Sequence, residues 1–156
     1  VAVDLTLIPA VLTGLGAAAV GGVYLAFSVM VMPAFRRVGA DAATAAMLEI
    51  NRWAERGPFI VVFLGAALAA IALGMTALIG LPDPVAGLRL AAAVLSLGST
   101  VITVAANVPH NNRLVRDGAG YWPVFQKRWG RLNTLRGILA LATVALLVLP
   151  GTSSAG

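Results

Sequence analysis

Long apolar runs almost free of ionisable side chains decide what this chain can become. They cover residues 5–32, 58–79 and 85–106, the last carrying Arg89 alone, and a shorter run ends at Leu149. A helix needs about 20 residues to cross a hydrocarbon core of roughly 30 Å. Inside lipid, every backbone polar group must be satisfied within its own helix or in a closed barrel. A barrel would alternate in segments of about ten residues, whereas these runs are continuous and rich in Leu and Ala. The expected fold class is therefore all-α: an integral membrane four-helix bundle with short interfacial helices on the cytoplasmic side. One domain fills residues 1–156, with spans at about 5–32, 58–79, 85–106 and 130–149.

Composition agrees, with 60% hydrophobic and 11% charged residues and a mean hydropathy of +0.93. The net charge of +5 gains meaning once it is located. Residues 33–57 hold four basic and three acidic groups, and residues 107–132 hold five basic and one acidic. These two loops account for the whole excess, which is the positive-inside signature. It places both loops in the cytoplasm and both termini outside, in a multi-pass protein of the plasma membrane. No basic stripe with interleaved aromatics lies outside the membrane-flanking loops, so nucleic acid is not an expected partner. The chain has no cysteine and one histidine, which removes disulfides, thiolate nucleophiles and multi-histidine metal sites. No metal or cofactor is expected.

No Lys or Arg precedes the first apolar run, so it reads as a retained span and not as a cleavable signal. Ala18, Gly22 and Ala26 repeat at helical spacing and offer a close approach to a neighbouring helix, as do Ala66, Ala70 and Gly74. Such stripes can also pack a second copy of the chain into a homo-oligomer. Tyr24 and Ser28 read as interhelical glue. The chain leaves the membrane at Met32-Pro33, and Asp41 caps an amphipathic helix on which Ala43, Met47, Ile50 and Ala54 share a face. Asn51 and Trp53 stand near its elbow, where they read as a solvated amide and an interfacial anchor, or as site residues. Residues 80–84 form a tight connection between antiparallel spans. Neither broken helices nor paired half-repeats are read, which argues against a small transporter.

The densest polar cluster is Asn107-Val108-Pro109-His110-Asn111-Asn112-Arg113. Pro109 has no amide hydrogen and leaves the carbonyl of Ala105 without its usual partner. Asn107 and Asn111 lie one turn apart, so one helical face presents two carboxamides. Further on, the uncharged part of the last span reaches back only to Gly137, about six residues short of the roughly 20 needed. Asn133 and Arg136 must therefore enter the inner leaflet. An intramembrane arginine marks a functional site or a specific partner, unless it snorkels to the interface. Its expected protein partners are the amides and carbonyls around Asn107 and Pro109.

Asn107-Val108-Pro109 with Asn111, then Arg128-Trp129 followed by Asn133 and Arg136, resembles the anthrone oxygenase family of small four-span membrane proteins. The likeness extends to the Met32-Pro33 end of the first span and the Ile50-Asn51-Arg52 helix. It implies oxygenation of a planar polycyclic anthrone to an anthraquinone with dioxygen, without metal or flavin. Thr134 stands where members often carry histidine. A cofactor-free oxygenase needs an apolar slot, an aromatic surface, a cation facing a developing oxyanion, and a base. Arg136, His110 and Asn107 are the expected catalytic set, with His110 as base because of its near-neutral intrinsic pKa. His110 reads equally as a solvated interfacial histidine. Asn111, Trp129, Asn133, Trp122 and Asn51 are the expected substrate-binding residues, and the partner is a hydrophobic aromatic small molecule. The competing function is a non-catalytic membrane module or subunit that holds a lipid, a quinone or a partner helix.

Overall fold

A computed structural model describes residues 7–152, with side chains through Val148. Among the described residues there is no strand. The α-helices run α1 Leu7–Ala26, α2 Met32–Val38, α3 Ala40–Arg56, α4 Pro58–Gly80, α5 Pro84–Ile102, α6 Val108–Asp117 and α7 Trp122–Thr152. Two π-helical turns, Phe27–Val31 and Thr103–Asn107, carry α1 into α2 and α5 into α6. A 3-10 turn at Gly118–Tyr121 connects α6 to α7.

The long helices α1, α4, α5 and α7 form a ring in which α4 packs on α1 and α5, and α7 packs on α5 and α1. Among the described residues, three helical stretches are long and apolar enough to cross a membrane: Leu7–Val38, Pro58–Gly80 and Pro84–Val148. The third turns back at Gly118 and supplies two rods of the ring. Exposed Leu15, Leu68, Val94 and Ile138 clothe the outside, the reverse of a water-soluble bundle and right for hydrocarbon contact. Helix starts follow local chemistry. Pro58 and Pro84 occupy first turns, where a missing N–H costs nothing, and the Asp83 carboxylate accepts from the Val85 N–H at 3.3 Å.

Several expectations change. The helix does not end at Met32-Pro33 but continues to Val38, and the third span likewise continues past Pro109 to Asp117. A proline ring clashes with the carbonyl one turn back, and a π turn, by widening the helix, moves that carbonyl aside. Each π turn ends two residues before its proline, Val31 before Pro33 and Asn107 before Pro109. Each following helix stops at a glycine with positive φ, Gly39 at 83° and Gly118 at 60°, a conformation costly for any residue with a Cβ. The chain thus repeats one order of elements: long helix, π turn, proline-led short helix, connecting segment, long helix. Asp41 does not cap α3. Gly39 holds that position, and Asp41 sits in the first turn, where its charge faces the helix N-terminus favourably.

Of the small-residue stripes, Ala66 and Ala70 are buried, and a Cβ on Gly74 would stand 3.5 Å from Ala93. Ala18 and Gly22 instead face outward, with open space around Gly22. The inward face of α1 is Thr13, Ala17, Val20, Gly21 and Tyr24.

The basic end of the ring has a core of its own. Met32, Ala43, Met47, Leu114, Tyr121, Trp122, Phe125 and Trp129 bury together, so the apolar face of α3 rests on protein. Trp122, Phe125 and Trp129 stack in series at centroid distances of 5.4 and 5.6 Å. This packing holds α3 across the end of the bundle and positions the cavity described next.

Candidate functional site

Arg136 belongs to the inward stripe of α7 with Phe125, Trp129 and Asn133, all buried. Its Nη2 donates to Asn133 Oδ1 at 2.8 Å, its Nε to the same oxygen at 3.3 Å, and its Nη1 to Thr103 Oγ1 at 3.1 Å. The guanidinium lies 4.0 Å from the centroid of the Tyr24 ring and 5.2 Å from that of Trp129. Among the described residues no carboxylate pairs with it. Its charge is held by neutral dipoles and aromatic faces, which orient it without cancelling it.

Asn133 is the hub of this arrangement. Its Nδ2 donates to the Tyr24 carbonyl at 2.7 Å and to Ser28 Oγ at 2.9 Å while Oδ1 takes the guanidinium. The Tyr24 carbonyl precedes the first π turn and Thr103 opens the second. Both breaks in helical regularity therefore serve the arginine.

A cavity of about 580 Å³ opens beside the guanidinium, within the range of small-molecule sites. Its wall is mostly apolar and aromatic, with Phe59, Phe63, Phe27 and Trp129 among the lining residues. Asn51 reaches it from α3 and Asn111 from α6. Asn51 Nδ2, Asn111 Oδ1 and Trp129 Nε1 are buried without a hydrogen-bond partner among the described residues. Such groups are costly to leave unmatched, and each belongs to a residue of the cavity wall. Glu55 is the one carboxylate in the lining.

The structure thus brings Arg136, Trp129, Asn51 and Asn111 to one cavity and leaves four other expected residues off its wall. Asn107 is buried, but its Nδ2 points to the Trp129 carbonyl at 3.4 Å and not to Arg136. The amides around Pro109 are therefore not the arginine's partners, because the π turn rotates Thr103 into that place. Asn133 acts behind the guanidinium, and Trp122 faces a second cavity on another side of α7. His110 sits at the basic end with its Nδ1 2.6 Å from the Tyr121 hydroxyl and its ring stacked on Tyr121. Thr103, Phe59, Phe63 and Glu55 escaped the sequence reading, and Tyr24 was read there as interhelical glue and not as part of the site. Tyr24 carried a signal, being a hydroxyl four residues from Ser28 in an otherwise apolar helix, whereas nothing in the order of residues singles out Thr103.

A family model described as anthrone oxygenase matches residues 51–146, more than half of the chain. The match takes in Asn51, Thr103, Asn111, Trp129, Asn133 and Arg136 and leaves Tyr24 outside. No curated protein and no solved structure matches the chain. The family match covers more than half of the chain, and the chain belongs to the anthrone oxygenase family.

Proposed function

We propose that this protein is a membrane-embedded oxygenase for planar, anthrone-like aromatic substrates, bound in the cavity beside Arg136. The observation that carries this reading is a buried guanidinium, unpaired with any described carboxylate, on the wall of an aromatic-lined cavity of about 580 Å³. An anthrone loses a proton from its methylene carbon to give a delocalised anion with charge on the ring oxygen. A fixed cation in a site poor in water stabilises that charge far more than one in bulk water. The anion then gives electrons to dioxygen. The methylene carbon ends as a carbonyl with one oxygen atom, and the other oxygen leaves as water with the two hydrogens removed.

In this scheme Arg136 faces the oxyanion, Trp129 and Phe63 flank the rings, and Asn51 and Asn111 orient the substrate from the cavity wall. His110 lies off the cavity, so Glu55 at the rim is the proton acceptor. All four long helices cross the membrane, with residues 33–57 and 107–132 on the cytoplasmic side and the cavity at the boundary between that end of the bundle and the inner leaflet of the plasma membrane. Substrate reaches it from the lipid, where a hydrophobic polycycle concentrates.

The test is dioxygen consumption by the purified protein with an anthrone, followed as anthraquinone absorbance. Arg136→Ala is expected to lower turnover by about 100-fold or more with expression intact, and Glu55→Gln to lower it while leaving anthrone binding in place. Turnover insensitive to Arg136→Ala would reject the scheme. Saturable binding of the aromatic with no dioxygen uptake would support a non-catalytic binding protein instead.

A further inference from the structure

The second cavity, about 970 Å³, lies between the α1–α2 end of the chain and α7. Arg36, Lys127 and Arg131 line it with no carboxylate in its wall, and none of the three forms an ion pair among the described residues. Three cations facing one concavity repel one another, an arrangement that an anion relieves. The same wall holds apolar Met32, Phe35 and Trp122. Its inner limit is the Ser28 to Thr134 hydroxyl contact at 3.1 Å, which joins α1 to α7. One turn beyond that contact on the same faces stand Leu25 and Ile138, exposed at 47% and 57%. The surface therefore passes from cations, through hydroxyls, to an exposed apolar stripe.

We infer that this groove binds an anionic lipid, its phosphate on Arg36, Lys127 and Arg131 and an acyl chain along Leu25 and Ile138. A soluble phosphoester would use the cations but gain nothing from that stripe, whereas a lipid uses both. Residues 28–40, half of the wall, lie outside the family match, and the site is independent of the oxygenase reading.

The test titrates the full-length protein in neutral detergent with phosphatidylglycerol or phosphatidylcholine and counts bound lipid by native mass spectrometry. One phosphatidylglycerol should bind saturably, about tenfold or more tighter than phosphatidylcholine. Replacing all three cations by glutamine should weaken it at least tenfold, because each basic residue near anionic lipid adds to the attraction. Because that variant could misorient in the membrane, Gly130→Phe is the second probe. A Cβ there meets nothing within 4 Å, so the ring fills the groove with every charge kept, and binding should fall equally. Equal retention of the two lipids, or unchanged phosphatidylglycerol binding in Gly130→Phe, overturns the site. Displacement by glycerol 3-phosphate at the concentrations where phosphatidylglycerol itself binds would make the ligand a soluble phosphoester and reject the lipid.

Discussion

Arg136 shows how a buried charge can be kept without a counter-charge. Taking an ion out of water costs several kcal/mol even after relaxation, and two hydrogen-bonding side chains with two aromatic faces recover only part of it. Arg136→Met would remove that cost and the uncancelled charge while leaving Asn133 Oδ1 unmatched, a loss of about 1–3 kcal/mol. The terms oppose, so thermal unfolding in detergent should shift by no more than about 2 kcal/mol as turnover disappears. Collapse of the fold instead would make the arginine structural. His110 offers a second residue-level test, since it lies beyond the apolar run of the third span. Burial first, then Arg128 and Arg113, hold it below the ordinary value of 6.5. The folded state thus favours the neutral ring. Its stabilising contribution is complete above about pH 6.5 and is lost as pH falls below that value towards the folded one. The unfolding midpoint should drop between pH 7 and pH 5, and less so in His110→Gln.

At the scale of elements, the two π turns organise the site. Each lets a helix survive its proline and swings polar groups inward, the Tyr24 carbonyl before the first and Thr103 in the second. Helix contact is set just as locally. A Cβ at Gly16 would stand 2.5 Å from Ala66 Cβ, while one at Gly22 meets nothing within 4 Å. Gly16→Ala should therefore destabilise by about 1–3 kcal/mol through overpacking, and Gly22→Ala should be neutral or stabilising by up to about 1 kcal/mol. Thermal unfolding of the two variants side by side checks the inward face of α1. Spacing alone made Ala18, Gly22 and Ala26 look like that face. Every face of α1 carries small residues, so the period shows a helix and not its rotation.

At the scale of the whole molecule, the ring of α1, α4, α5 and α7 with its basic end capped by α3 implies an orientation. Cysteines at Leu81 and Gly120, in otherwise cysteine-free protein, should react with an impermeant maleimide from opposite sides of the membrane. Same-side labelling would overturn the four-span arrangement.

The amino-acid sequence alone determined that the chain is helical, that it carries apolar stretches long enough to cross a membrane, and the family. Those properties depend on run length and charge position, which are one-dimensional. Tertiary structure alone decided who answers the guanidinium, why Asn107 turns away, and that α3 closes the end of the bundle. Each of these depends on helix rotation and on two π turns. A rotation of one residue, roughly 100°, exchanges a cavity wall for a lipid face, and no local composition records it.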